Sequence, residues 1–234
     1  TVKYGETSVI TTIYTELFGL QTYIVKGVRQ SSKKKNTASV FFQPSAILEL
    51  QVYHNELKNL QFIKEYHWSS VYTNVFTDVV KYAVAMYIVE LFSYIVKQPE
   101  TNTFLYDFLE QMLVFTDNGT EQEVANIPIL FAFGLSKQLG FQIQGTYTAE
   151  SNYLNIREGM FTEIAPVDED IYTENILQAI SVINSMESSI QKIDLQLNKT
   201  TRRTILSIAH QFLKYHITDF GEIKSMLVLQ TVLK

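Results

Sequence analysis

Residues 20–35 read Leu-Gln-Thr-Tyr-Ile-Val-Lys-Gly-Val-Arg-Gln-Ser-Ser-Lys-Lys-Lys, a strand-like apolar run followed by five cationic side chains and no acidic one. Residues 40–53, after the cations, are again strand-like in composition. Charges between two strands lie in water, on a loop or a strand end, and a dense group of Lys and Arg is typical of a surface that binds polyanions. An ordinary solvated loop is the alternative. The cations are Lys26, Arg29, Lys33, Lys34 and Lys35.

The charge of the chain is unevenly distributed. Residues 1–77 carry eight Lys and Arg against five Asp and Glu, a net charge of +3, whereas the remaining residues carry eleven against nineteen, a net charge of −8. The whole chain has a net charge of −5, so an acidic protein concentrates its positive charge in the first third of its length. Such an asymmetry indicates contact with nucleic acid.

Composition limits the class of protein. A chain of 234 residues that is 46% hydrophobic and 18% charged is globular, with one large domain or two small ones. The absence of cysteine excludes disulfides and cysteine-based metal sites. No apolar run approaches the roughly 18 residues of a membrane span, and no signal peptide is visible. We therefore expect a cytoplasmic protein that does not enter membranes. Because the chain lacks an initiator Met, we also expect an N-terminal piece to be missing.

The first part of the chain carries strand signals. Apolar and β-branched runs occur at residues 7–14, 20–27, 46–53 and 60–66, with turns between them. Short strands separated by tight turns predict a small barrel or sandwich. A five-stranded Greek-key barrel of the OB type fits a segment of about 70 residues.

The apolar period changes to helical spacing after Thr73. Pro128 predicts the start of a third helix and Gly140 its end, and the acidic residues 168–170 are expected to complement the dipole of the next helix. A small hairpin is predicted at 153–164. The sequence thus predicts an α+β protein with domains at 1–72 and 73–234. The predicted helices are 79–96, 104–113, 129–139, one through 176–183, 200–217 and 222–233.

No constellation for catalysis is visible in the sequence. It lacks a nucleotide-binding glycine loop and a nucleophile elbow. His210 and His216 are six residues apart and lie on different helix faces, and no Asp precedes Asp78, although a nuclease needs clustered carboxylates for its metals. We therefore predict no enzyme activity, no metal and no cofactor. Aromatic residues could stack on bases, although a small barrel needs most of them in its core. They are Phe41, Phe42, Tyr53, Phe62, Tyr66 and Trp68.

Several short motifs occur in a characteristic order. They are Tyr4-Gly5-Glu6-Thr7-Ser8, Phe18-Gly19, Lys26-Gly27-Val28-Arg29, Phe42-Gln43-Pro44, Leu60-Gln61 with Lys64-Glu65, Tyr87-Ile88-Val89-Glu90-Leu91, Leu139-Gly140-Phe141, and Phe220-Gly221-Glu222-Ile223-Lys224-Ser225 with Val228-Leu229. In this order and spacing the chain resembles the bacterial recombination-mediator and repair family RecO over essentially its whole length.

The resemblance implies an N-terminal OB-fold, its first strand missing or truncated, and a C-terminal helical domain. It implies a non-enzymatic protein of recombinational DNA repair that binds single- and double-stranded DNA, anneals complementary strands and assists RecA loading on DNA coated by single-strand-binding protein. The implied partners are RecR and the C-terminal tail of the single-strand-binding protein, with a functional link to RecA and RecF. The implied location is the bacterial nucleoid.

Site residues are predicted from the resemblance and, for Arg202 and Arg203, from their place near the N-terminal end of a predicted helix, which is unfavourable for cations. DNA contact is predicted for Lys26, Arg29, Lys33, Lys34, Lys35 and Lys64. Partner contact on the helical domain is predicted for Phe131, Leu135, Lys137, Arg202 and Arg203.

The chain departs from the family pattern in two places. Many relatives have a four-cysteine zinc site after the Leu-Gly-aromatic motif, but residues 142–165 contain no Cys, so the hairpin must hold by packing. Some relatives use a basic residue on the third helix to hold the acidic tail, where this chain has Leu130 and Phe131.

Two other functions stay open. The chain could be a protein-interaction adaptor that acts through its acidic helical domain and docks an acidic partner on the basic loop. It could also be an enzyme on nucleic acid, an interpretation that rests on the barrel alone, and a fold does not imply a function.

Overall fold

The structure of the protein is a computed structural model that describes residues 1–28, 38–167, 169–186 and 195–233. By its internal contacts the chain divides into two compact units. Unit 1 consists of Thr1–Thr73 and Val96–Glu110, and unit 2 of Asn74–Ile95 and Gln111–Lys234. The predicted domains, 1–72 and 73–234, differ from these units chiefly because residues 96–110 group with the strands.

Unit 1 contains a five-stranded sheet. Its strands are β1 Val2–Tyr4, β2 Ser8–Thr15, β3 Gly19–Val25, β4 Ile47–Tyr53 and β5 Gln61–Ser70. They are ordered β1-β2-β3-β5-β4, with β3 and β5 parallel and all other pairs antiparallel. The parallel pair makes the sheet a Greek-key arrangement of the OB type rather than a simple meander. The predicted α+β class is confirmed, and β1 is a strand that the sequence did not predict.

The segment before β4 forms a helical turn instead of the expected strand. Residues Ala38–Phe42 are a 3-10 helix. Phe42 is buried with Val9, Val25 and Val28, and Phe41 packs against the same cluster. A strand would have pointed the two adjacent phenylalanines to opposite faces, whereas the tight turn lets both reach one core.

The connection at residues 96–110 is part of unit 1. The ring of Tyr14 on β2 stacks on Tyr106 at 6.4 Å between ring centres. Gly19 has φ of +61°, and a Cβ there would collide with the carbonyl oxygens of Pro99 and Glu100. The start of β3 therefore requires glycine both for its backbone conformation and for this close approach.

Unit 2 is built of helices and one small hairpin, the latter as predicted. Residues on α3, Glu121–Gln138, such as Ile127, Phe131 and Leu135 are fully buried. This helix packs against α1, Val79–Ile95, and α5, Lys199–His216, so it is the central helix. The elements are α1 Val79–Ile95, α2 Thr103–Asn118, of which the last part belongs to unit 2, α3 Glu121–Gln138, β6 Tyr153–Asn155, β7 Met160–Thr162, α4 Glu174–Ser185, α5 Lys199–His216 and α6 Ser225–Val232.

The predicted start of α3 at Pro128 is wrong. The helix begins at Glu121, and Pro128 lies inside it. Thr120 and Glu123 form a capping box, in which each side chain binds the backbone amide of the other residue, and this stabilises the earlier start. At the other end, Gly140 at φ +87° follows the last turn, and the Phe141 amide donates to the Ser136 carbonyl at 3.1 Å, so the predicted end is confirmed.

The interpretation of the acidic residues 168–170 as a complement to a helix dipole is also wrong for Glu169. The helix α4 starts at Glu174, and the carboxylate of Glu169 instead accepts hydrogen bonds from the backbone amides of Ile156 and Arg157, at 2.7 and 3.1 Å. These amides belong to the turn between β6 and β7. Asp168 lies outside the described residues.

Candidate nucleic-acid interface

One face of the unit 1 sheet carries an apolar row that crosses all five strands. The strand registers pair Val2 with Ile10, Ile10 with Ile24, Ile24 with Phe62, and Phe62 with Tyr53. We call these five residues the outer row.

The outer row faces away from the barrel core. Side chains alternate along a strand, and the neighbouring residues Val9 and Val25 belong to the buried core cluster, with Ile63 packed against it. In the middle of the row Ile24 is only 7% exposed, whereas Phe62 is 39% exposed and Tyr53 63% exposed. The Tyr53 end therefore presents aromatic surface to solvent.

A cation sits directly on this aromatic end. Lys26 follows the last residue of β3, and its ammonium nitrogen lies 5.3 Å from the centre of the Phe62 ring. This distance is within the range of a cation–π interaction. Lys26 is also the first residue of the basic stretch at 26–35, so the described start of that stretch lies at Phe62.

The turn that joins Tyr53 to Phe62 is held by Gln61. The side-chain amide of Gln61, in a residue only 2% exposed, accepts from the Asn55 amide at 2.8 Å and donates to the Asn55 carbonyl at 2.9 Å. The same nitrogen donates to the Lys58 carbonyl. The buried Gln61 side chain therefore holds the backbone of the turn that sets Tyr53 opposite Phe62.

Lys64 lies two residues beyond Phe62, at an irregularity in the pairing of β4 and β5. Its ammonium nitrogen is 3.5 Å from the carboxylate of Glu65, and both side chains are about half exposed, at 50% and 49%. An exposed ion pair of this kind contributes little to stability. Lys64 can therefore exchange the Glu65 carboxylate for a phosphate with little loss of free energy. Until it does so, Glu65 neutralises part of its charge.

The remaining residues predicted to contact DNA, Arg29, Lys33, Lys34 and Lys35, lie outside the described residues. Of the other aromatic residues, Phe42 is in the core, Phe41 and Tyr66 pack against it, and the ring of Trp68 stacks on Phe41 at 4.7 Å. Tyr53 and Phe62 are thus the two of the six aromatic candidates with substantial exposed surface.

Four of the five residues predicted to bind a partner protein are engaged inside unit 2. Phe131 and Leu135 are both 0% exposed, so partner contact through these side chains does not fit the structure. Lys137 donates to the Met186 carbonyl at 2.7 Å. Arg202 is 7% exposed and donates to the Asn126 side chain at 3.0 Å and to the Leu197 carbonyl at 2.9 Å.

Arg203 is the exposed member of the predicted set. It donates to the Gln230 carbonyl of α6 and lies at the rim of a small, shallow cleft between α3, α5 and α6. The floor of the cleft is largely apolar, and its rim carries Lys199 as a second exposed cation. Among the cleft residues are Pro128, Ile129, Leu206 and Leu229.

The histidines of α5 have structural partners. His210 shares a hydrogen bond of 2.7 Å with the hydroxyl of the buried Tyr87, and burial lowers the pKa of His210 to about 4, so the ring is neutral at pH 7. His216 stacks on Phe141. Across the described ranges no group of three or more His, Cys, Asp or Glu is placed to hold a metal ion. Within the same ranges no helix is long and apolar enough to cross a membrane.

Comparison with known proteins gives a consistent result. Residues 1–72 match the family described as recombination protein O N terminal, and residues 77–162 match recombination protein O C terminal. A protein of Christiangramia forsetii named DNA repair protein RecO is 30% identical over 99% of this chain and 94% of its own length.

The chain belongs to the RecO family of DNA repair proteins.

Other members show the same extent of similarity. Proteins named DNA repair protein RecO from Flavobacterium psychrophilum and Bacteroides fragilis are 29% and 28% identical, over 99% and 98% of this chain respectively. In each case the match covers 94% or 93% of the relative. The similarity to the RecO family therefore covers both units, which confirms the resemblance inferred from the short motifs.

The sequence analysis did not predict that Phe62 lies opposite Tyr53 and close to Lys26. The signal that could have indicated it was the turn signature at residues 55–59 between two strand-like runs, which places their flanking aromatics opposite each other. The approach of Lys26 depends on the parallel pairing of β3 with β5, for which a single sequence carries no local signal.

Proposed function

We propose that the chain is a non-enzymatic DNA-binding protein of recombinational DNA repair. It binds single- and double-stranded DNA, anneals complementary strands, and assists the loading of RecA onto DNA coated by single-strand-binding protein, in the bacterial nucleoid. The observation that carries this proposal is the ammonium of Lys26 over the exposed Phe62 ring, at the start of a segment with five cations and no carboxylate.

Annealing by this arrangement requires no bond-breaking chemistry. Two DNA strands repel each other through their phosphates, and cationic side chains that replace condensed counterions remove much of that repulsion. Contacts to phosphates carry no sequence information, so any complementary pair can be brought together. The net charge of +3 on residues 1–77 suits this role, whereas the acidic remainder of the chain does not.

The test uses charge-neutralised variants of the whole chain. Lys33, Lys34 and Lys35 are changed together to Gln, and a control changes Lys199, Lys214 and Lys224 of unit 2, three exposed lysines, in the same way. The first variant is expected to lose affinity for an oligonucleotide and to anneal complementary strands more slowly, whereas the control keeps both properties. Equal losses in the two variants would contradict the placement of the site in unit 1.

We propose that the cleft of unit 2 binds a partner protein. We also propose RecR, RecA and RecF as functional partners of the chain. An acidic peptide, as expected for the tail of the single-strand-binding protein, would place its carboxylates at the exposed cations Arg203 and Lys199. This assignment replaces the buried side chains of Phe131 and Leu135 with two exposed cations of unit 2.

A charge reversal tests the cleft. Arg203→Glu is expected to weaken binding of that tail peptide, measured by fluorescence anisotropy, whereas Lys214→Glu on the same helix is not. If the peptide binds tightly while oligonucleotides do not bind at all, the chain is a protein-interaction adaptor, which is the second candidate function.

A further inference from the structure

The outer row predicts that the proposed DNA site distinguishes single-stranded from duplex DNA, which its charges alone do not predict. We infer that Tyr53 and Phe62 form a platform on which unpaired bases stack, with the Lys26 ammonium moving from its position over the Phe62 ring to the adjoining phosphate, so that this site takes single-stranded DNA in preference to duplex. The inference rests on the proposed function, because it concerns the same surface.

Both rings have surface exposed to solvent. Large aromatic side chains usually bury, yet Tyr53 is 63% exposed and Phe62 is 39% exposed on the outer face of the sheet. Directly opposite residues of an antiparallel pair have Cβ atoms about 5 Å apart, so the two side chains form one continuous surface.

Cationic side chains border the platform. Lys26 lies 5.3 Å from the Phe62 ring centre, and Lys64 follows Phe62 by two residues. The nearest carboxylate along β5, Glu65, is engaged with Lys64 at 3.5 Å. Apolar ring surface bordered by lysines is complementary to a nucleotide, which has a flat apolar face and an anionic phosphate.

The backbone that carries the platform is held in place. The turn between the two rings is braced by Gln61 through hydrogen bonds of 2.8 and 2.9 Å to Asn55. A platform that is already in place loses little conformational entropy when a base stacks on it.

Strand preference follows from what each form of DNA exposes. In a single strand every base has an accessible flat face, and stacking is tolerant of sequence because each base has such a face. In a duplex these faces are covered by neighbouring base pairs, so only the phosphates reach the protein. When two bound strands anneal, the bases no longer stack on the platform, while the lysine contacts to the phosphates remain.

Three probes separate these contributions: oligothymidylate, an abasic oligonucleotide of the same length, and a duplex. Tyr53→Ala is expected to weaken binding of oligothymidylate by on the order of tenfold and to leave the other two unchanged. Tyr53→Phe is expected to restore the affinity, because stacking needs the ring and not the hydroxyl. Lys26→Gln is expected to weaken binding of all three probes.

Tyr82→Ala is the matched control, since Tyr82 is a 41% exposed tyrosine of unit 2. The stacking inference is overturned if Tyr53→Ala changes the affinity for all three probes equally, or for none of them, while the wild-type chain binds DNA. If the wild-type chain binds none of the probes, the proposed function itself fails, so the two failures are distinct.

Discussion

Gln61 and Asn55 are joined by two hydrogen bonds that run in opposite directions between one side chain and one backbone unit. The Gln61 Oε1 accepts from the Asn55 amide at 2.8 Å, and the Gln61 Nε2 donates to the Asn55 carbonyl at 2.9 Å. This relationship closes the turn between β4 and β5 and thereby sets Tyr53 opposite Phe62.

Replacing Gln61 with Leu is expected to lower the free energy of unfolding of unit 1 by about 1–3 kcal/mol, because the backbone groups of Asn55 and Lys58 lose three part-buried hydrogen bonds to this side chain. Urea denaturation followed through the fluorescence of Trp68, the single tryptophan of the chain, measures this change. The matched control is Gln51→Leu at an exposed position on β4, where about 0.5 kcal/mol or less is expected. Equal effects of the two substitutions would contradict the role of the Gln61 amide.

The hairpin of β6 and β7 is predicted to depend on Glu169 and on no metal. Glu169→Ala is expected to cost about 1–3 kcal/mol, because the amides of Ile156 and Arg157 lose a charged acceptor. Hydrogen exchange at these two amides reports the loss, and Glu163→Ala, an exposed carboxylate after β7, is the control. A chelator is expected to leave the melting temperature unchanged. A drop in melting temperature with chelator would show that a metal holds the hairpin.

Docking of α6 is predicted to weaken in acid. Partial burial by itself raises the pKa of Glu90, but hydrogen bonds from Ser225 and Lys224, with the charge of Lys224, outweigh it and leave the pKa below 4.5. Because the pKa is lowered in the folded state, the carboxylate stabilises the fold above pH 4.5, and this contribution is lost as the pH falls through the lowered value. The melting temperature measured between pH 7 and pH 3 is expected to fall less in Glu90→Gln than in the wild type. Parallel pH curves for the two proteins would contradict the prediction.

The adjacent residues Arg202 and Arg203 are predicted to respond differently to the same substitution. Arg202→Ala leaves the buried Asn126 side chain without a hydrogen-bond donor and is expected to destabilise unit 2 by about 2–4 kcal/mol. Arg203→Ala removes an exposed side chain that binds one carbonyl, and about 1 kcal/mol or less is expected. Chemical denaturation followed by circular dichroism compares the two variants. A larger loss from Arg203→Ala would contradict the assignment of Arg202 as the structural arginine.

Elements with a strong local pattern could be predicted from the sequence. The alternation in β2 and the helical spacing of α1 and α5 each gave boundaries within two residues of those observed. The start of α3 was missed because Pro128 was taken as a first-turn proline, although the Thr120 to Glu123 capping box was present in the sequence.

The candidate sites were less predictable because they depend on contacts between distant residues. Lys26 and Phe62 meet only because β3 and β5 pair in parallel. Phe131 and Leu135 were chosen as partner contacts by family likeness, yet the nearly all-round apolar surface of their helix already indicated a buried position.

DNA binding is tested most directly by the affinity of the wild-type chain for a labelled single-stranded oligonucleotide, measured by fluorescence anisotropy at several salt concentrations without metal. The chain is expected to bind with a log K that falls linearly with log salt, by roughly 0.7 for each phosphate neutralised. Lys26→Gln is expected to reduce that slope by about one phosphate contact. Absence of binding at low salt, or binding that does not change with salt, would show that this protein does not bind the phosphate backbone of DNA as proposed.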